Sequence, residues 1–167
     1  MNHQPESWKA LSPDNREFAV IHSRRMIESL VSLKSIPIYE LALEEKKDEE
    51  LAEWIYTNRN AILSHGTQAE PLLNYGNSQA LKLWGMRFDE FVGTPSQTTV
   101  EAKLCSERAK ILARVNQEGL VYPYTGIRIA KNGSRFRIKD AKIWTVQDEK
   151  SNAIGTAAMF PDWEFVE

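Results

Sequence analysis

The side chains here with the most chemistry to offer are three histidines, one cysteine and a pair of arginines, Arg128 and Arg137, nine positions apart. His3, His22 and His65 share no metal-ligand spacing, so each reads as an ordinary surface or helix residue. Only His65 lies beside an expected strand that could border a cavity. Cys105 has no second thiol, which excludes an internal disulfide and deprives a zinc site of its usual thiolates; it reads as a buried apolar cysteine. The neighbouring carboxylates Asp48-Glu49 and Asp89-Glu90 sit in polar stretches where solvation explains them. No G-x-S-x-G elbow, H-E-x-x-H helix or phosphate-cradling P-loop occurs. No catalytic residue and no metal ligand is therefore assigned, and the chain reads as a binding protein rather than an enzyme.

Binding groups are easier to find. Tyr75, Trp84, Phe91, Tyr124, Phe136 and Trp144 are either the aromatic core of a small domain or the lining of a cavity. A cavity also needs a few polar groups to orient its occupant. Asn74, Asn77 and Arg128 are the candidates, and Arg137 joins them through the strand pairing derived below.

Elements to position these residues can be read in order. Ser12-Pro13-Asp14 starts a helix, with a hydroxyl cap, proline at the first helical position and an acid at the positive end of the dipole. Val20, Ile27, Leu30 and Val31 form its apolar stripe, and Pro37 must lie beyond its end. The charged run 44–50 reads as a solvated helix surface. A second amphipathic helix is expected to carry Leu51, Trp54, Ile55 and Ile62 on one side. Near residue 65 the composition shifts to turns and short β segments. Residues 71–76 make a short strand, Asn77 or Ser78 caps a brief helix over 79–84, and Gly85 suits its left-handed end. Residues 88–93 add a further helical turn, and 106–118 a longer helix closed by Gly119. The chain thus divides into a helical extension, 1–64, which packs on the sheet or mediates dimerisation, and an α+β domain, 65–167.

Two β runs, 124–131 and 134–146, flank Asn132-Gly133, the preferred pair for a two-residue type I′ turn. That turn would set Ile129 opposite Phe136, Arg128 opposite Arg137 and Ile127 opposite Ile138. Ile127, Ile129, Phe136 and Ile138 would then face inward, with the two arginines opposed on the other face. Solvent or the acidic N-terminal segment could neutralise that pair; the alternative is a site for an anion or an acidic partner. After Ile138 the alternation breaks, since Ala141, Ile143 and Trp144 cannot share a face, and a bulge or burial on both faces is expected. A last strand, 153–160, follows the polar turn 148–152.

Composition sets the outer bounds. With 167 residues, 42% hydrophobic and 26% charged, the chain suits one domain or a domain with an extension. A net charge of −2 creates no field toward nucleic acid or anionic lipid. The start, Met1-Asn2-His3-Gln4-Pro5-Glu6, lacks the features of a secretion signal, and no stretch approaches the ~20 apolar residues of a membrane span. A soluble, cytoplasmic protein with no direct nucleic-acid or membrane contact is expected.

The motif Lys131-Asn132-Gly133-Ser134-Arg135-Phe136, with Ile154-Gly155-Thr156-Ala157 after an acidic turn, resembles the C-terminal hairpin of PAS domains. Leu73-Asn74-Tyr75-Gly76-Asn77, Pro95-Ser96, Tyr124-Thr125-Gly126-Ile127-Arg128-Ile129 and Arg135-Phe136-Arg137-Ile138 together resemble the MEKHLA domain, a PAS-like family. This resemblance implies a five-stranded antiparallel sheet with small flanking helices enclosing a ligand cavity. It also implies sensing or regulation through a small molecule or an unidentified protein partner, and frequent homodimerisation. It names no ligand. Flavin photosensors of the wider superfamily carry a reactive cysteine where Gly93-Thr94-Pro95-Ser96 places serine, so no covalent flavin adduct is expected. The 106–118 helix has no histidine, so no haem is expected either; the cofactor is otherwise unknown. Two rivals remain: a ligandless interaction module filled by its own side chains, and a cone-shaped enzyme like nuclear transport factor or ketosteroid isomerase, which would need an inward acid or histidine. The family assignment leans on the hairpin, and pairing one step out of line would undo it.

Overall fold

A computed structural model describes residues 4–167, and His3 lies outside them. Helix α1 (Pro13–Leu33) starts where its cap demands: the Ser12 hydroxyl accepts the Asn15 N–H at 3.1 Å, and Pro13 occupies a position whose N–H would have no helical partner. Pro37 opens α2 (Pro37–Glu45), and three acids fill the first turn of α3 (Asp48–Tyr56). Here the first correction falls. The second amphipathic helix does not reach Ile62, because the Asn58 side chain accepts from the backbone of Asn60 and turns the chain. Ile62 belongs instead to strand β1 (Ala61–His65), which begins inside the segment read as helical, 1–64.

Strand β2 (Leu73–Gly76) leads into α4 (Ser78–Trp84), capped by Asn77 and closed by Gly85 at φ 73°. The short α5 (Phe88–Phe91) and the longer α6 (Cys105–Glu118) follow. The rest is β: β3 (Leu120–Ile129), β4 (Arg135–Gln147), β5 (Ala153–Phe160) and β6 (Asp162–Val166), the last not foreseen. The sheet is antiparallel in the order β2-β1-β5-β4-β3. Residues 142–147 of β4 pair with β5 and residues 135–139 pair with β6. β5 and β6 thus share one edge of β4, divided at Pro161, opposite the point where β4 itself bends at Asp140 (φ 53°).

The hairpin pairs one step out of the expected line. Ile129 faces Arg135, Arg128 faces Phe136, and Ile127 faces Arg137. The loop has three residues rather than two: the Gly133 N–H closes on the Ala130 carbonyl, Ala130 N–H bonds Ser134 O, and Gly133 takes φ 88°. Asn-Gly therefore serves a type I turn followed by a left-handed glycine, the other common hairpin that uses this pair. As a result Phe136 and Ile138 do face inward, but Arg128 joins them, while Ile127 and Ile129 go to the other face with Arg137.

Helices cover both faces of the sheet. On one face the Trp144 indole N–H donates to the Met26 carbonyl of α1 at 2.9 Å, and the Gln147 N–H donates to Ser29 Oγ at 2.9 Å. On the other, Trp84 of α4 meets Phe136 edge-on at 5.0 Å, and Val115 of α6 packs on Val121 and Ile143. Ile143 and Trp144, adjacent in sequence, are thus buried in opposite layers, as the broken alternation foretold. Burying a large apolar side chain contributes about 2–3 kcal/mol, so Trp144 alone ties α1 firmly to the sheet. Among the described residues no helix is long and apolar enough to cross a membrane.

Candidate functional site

On the α6 side the sheet and helices enclose a cavity of about 60 Å³. Its wall is mostly apolar, with Leu63 from β1, Leu73 from β2, Trp84 from α4, Ile111 and Leu112 from α6, Ile138 and Ile143 from β4, and Ala158 and Phe160 from β5. Into this wall are set His65, Ser96, Thr99, Arg108, Arg128 and Thr156. A wider cleft of about 470 Å³ lies between α6 and β3, and Arg108, Ile111 and Arg128 border both spaces.

The polar groups are held in place by local structure. Strand alternation turns Arg128 to the same side as Phe136, where its guanidinium donates to the Ile127 carbonyl at 2.9 Å and the Tyr124 hydroxyl at 3.4 Å. The Tyr124 ring lies 5.6 Å from that guanidinium, close enough for a cation–aromatic attraction. Arg108 reaches in from α6 and donates to Ser96 Oγ. Burial, and after it the charge of Arg128, holds the Arg108 guanidinium below the ordinary arginine range. Neither arginine has a carboxylate partner among the described residues. His65 ends β1, and its Nδ1–H donates to the Gly66 carbonyl at 2.9 Å. That bond leaves Nε2 as an acceptor, buried and without a partner. Burial lowers the His65 pKa and the Arg108 charge lowers it further, against the opposing Gly66 bond, so the imidazole is neutral. The Trp84 indole N–H is likewise buried and unpartnered. Gly155 of β5 makes room at this end: a Cβ there would sit 2.2 Å from the His65 carbonyl oxygen.

Of the ten residues singled out from sequence, Trp84 and Arg128 line the cavity, and Tyr124 borders the cleft with Arg128. Phe91 and Phe136 stand behind Trp84 as ring neighbours at 6.0 and 5.0 Å. The others lie elsewhere. Trp144 faces α1. Tyr75 is fully buried beside His22 and Phe88, and burial raises its hydroxyl pKa. Asn74 accepts from Ser64 Oγ at 2.5 Å, and that hydroxyl bonds His22 Nε2 at 2.8 Å. Asn77 spends its side chain on backbone, accepting from Ile62 N and Ala80 N while donating to Ile55 O and Asn60 O. Arg137 pairs with Glu164 of β6, so the expected Arg128–Arg137 opposition does not exist; the one-residue shift in the hairpin separates them onto opposite faces. Arg108 was missed. Its signal was its spacing, for Arg108, Leu112 and Val115 stand at i, i+4 and i+7 and place the arginine on the apolar stripe of α6.

Residues 21–165, nearly the whole chain, match the family described as the MEKHLA domain. This chain belongs to the MEKHLA family. The match begins within α1, so that helix is part of the family's extent here. Solved structures with similar folds include the PAS domain of a protein from Colwellia psychrerythraea, 15% identical, with a TM-score of 0.57 over 69% of the MEKHLA chain and 92% of that one. A light-oxygen-voltage domain studied with a flavin analogue is 14% identical, with a TM-score of 0.55 over 70% and 84% of the respective chains. The light-state dimer of the fungal blue-light photoreceptor Vivid is 17% identical, with a TM-score of 0.50 over 61% and 76%. No curated protein matches in sequence. At such identities these likenesses show the fold, which is PAS-like: an antiparallel sheet with flanking helices and an N-terminal helical segment. Family and fold stand although the hairpin pairs one step out of the expected line. The inner cavity alone, about 60 Å³, is far below the ~300 Å³ at which pockets for drug-sized ligands begin. Ser96 Oγ is engaged by Arg108.

Proposed function

We propose that this MEKHLA chain is a sensory module that binds a small molecule in the cavity under α6 and signals by altered association with another protein. The observation that carries this reading is the cavity itself, whose lining residues include the unpaired cations Arg108 and Arg128 together with His65 and Trp84, each of which has a buried ring nitrogen without a partner. Buried polar groups are normally hydrogen-bonded, and a polar ligand would complete both. The PAS-like fold supports binding rather than catalysis, and a net charge of −2 supports a role that does not rest on charge-driven binding of nucleic acid or membrane. A thermal-shift screen of small metabolites on the full chain tests the reading. A binder should raise the melting temperature by several degrees, and Ala158→Phe, which fills the cavity, should abolish the response. A screen without any responder would sink it.

Association has its own supporting observation. Phe18 and Ile21, one turn apart on α1, are 40% and 50% exposed, and Ile38 and Leu41 on α2 are 61% and 50% exposed. A second copy of this chain is the occupant we propose for these exposed side chains of the N-terminal helices, in keeping with Vivid, whose structure is described as a light-state dimer. Light scattering should give twice the mass of one chain, and Ile21→Glu with Leu41→Glu should return the monomer. A monomeric wild type would remove the dimer.

A further inference from the structure

The cavity carries more information than its volume. Two guanidinium groups, Arg108 and Arg128, stand in one mostly apolar wall, and their hydrogen bonds go only to neutral oxygens of Ser96, Ile127 and Tyr124. Both arginines are half-buried, and a cation drawn even partly out of water without a counter-charge is costly. Carboxylates do pair with arginines elsewhere in the molecule: Glu101 engages Arg135, Glu149 engages Arg25 and Glu164 engages Arg137. Glu107 of α6 borders the outer cleft but does not line the inner cavity. An anion between the two guanidiniums would relieve their mutual repulsion and supply the missing partner.

Size and the remaining groups narrow the class. One water needs about 10–15 Å³ of such space, so about 60 Å³ accommodates roughly four or five atoms or groups of that size. His65 Nε2 requires a hydrogen-bond donor, which a carboxylate or a phosphate ester lacks at neutral pH and a hydroxyl has. The floor of Ile138, Ile143 and Phe160 favours a short hydrocarbon part. Resting on the proposal that this cavity is the ligand site, we infer that its ligand is a small hydroxy acid, with its carboxylate taken by Arg108 and Arg128 and its hydroxyl donating to His65 Nε2.

Calorimetry on the full chain with lactate, glycolate, propionate, 1,2-propanediol and inorganic phosphate tests this. Lactate or glycolate should bind at least tenfold more tightly than propionate, and propanediol should not bind. Arg108→Met and Arg128→Met should each weaken lactate at least tenfold, with Arg108→Gln as a substitute should the methionine variant fail to fold. His65→Phe should erase the preference for lactate over propionate. Propanediol binding as well as lactate, phosphate binding better than either acid, or lactate affinity indifferent to both arginine variants would overturn the hydroxy-acid assignment. If in those cases Ala158→Phe still blocks the bound compound, the cavity reading survives. If no compound binds and no metabolite responds in the thermal screen, both fall.

Discussion

The two faces of the sheet solve the same burial problem in opposite ways. On the α1 side most polar groups find partners within the protein: Trp144 bonds Met26, Gln147 bonds Ser29, and His22, Ser64 and Asn74 form a chain, while the Ser23 and Tyr75 hydroxyls have none. On the α6 side His65 and Trp84 keep unpartnered atoms, and two arginines stand without carboxylates. Of α6 itself, only Val115 is fully buried. What sets the faces apart is the cavity with its two uncompensated arginines: a face packed without a gap stabilises, and a face with space and unpaired charge is where a second molecule can add something. Stability should therefore reside in the first face and binding in the second.

Substitutions that respect or violate this division can break it. Trp144→Ala should cost about 4 kcal/mol in chemical denaturation, the scale for emptying a buried aromatic site. A loss below about 1 kcal/mol would mean that α1 is not part of the stabilising layer. Asn77→Ala should cost about 3 kcal/mol, because it removes the α4 cap and strands buried backbone groups of Ile62, Ile55 and Asn60. Cavity binding, measured on the fraction still folded, should not change.

His22 supplies a pH test of the closed face. Burial, helped by the charge of Arg25, lowers its pKa from 6.5 to about 4, so the folded protein holds the neutral ring while the unfolded chain protonates more readily. The contribution is complete above pH 6.5 and falls away between pH 6.5 and about 4, by about 3 kcal/mol in total. His22→Gln should flatten that part of the stability profile, and an unchanged profile would place the ring in water. The smallest effect belongs to the open face. Arg108→Met should leave stability within about 1 kcal/mol of wild type or raise it, since it removes a partly buried charge facing another of the same sign. A loss of 3 kcal/mol would make Arg108 a structural residue and erase the contrast.

Local chemistry was legible in the sequence, and tertiary choice was not. The Ser12 cap with Pro13, the Asn77 cap with Gly85, and the close of α6 at Gly119 each depend on residues a few positions apart, and each stands as read. The turn at Asn132-Gly133 was ambiguous because the same pair fits a two-residue or a three-residue loop. What accompanies the longer loop is distant in sequence: the Lys131 N–H bonds the Trp84 carbonyl at 3.0 Å, and the Lys131 amine meets Glu90. The short β1 and β6 escaped notice because each is five residues long and their partners, β5 and β4, lie far along the chain or across a proline. In the site, Arg128 was found for its strand position but given the wrong companion. Arg108 was hidden in a helix read only for its extent and its closing glycine.

Ser64 and His65 are neighbours on β1, and a strand sends successive side chains to opposite sides. The Ser64 hydroxyl therefore joins the hydrogen-bonded chain that reaches α1, while the His65 side chain stands on the side of the cavity, which both residues line. With only a peptide bond between them, β1 acts as a partition no thicker than the backbone. The His22 ring that bonds the Ser64 hydroxyl stacks on Phe18 at 4.8 Å, so an exposed apolar side chain of α1 stands two contacts away from the strand that carries His65.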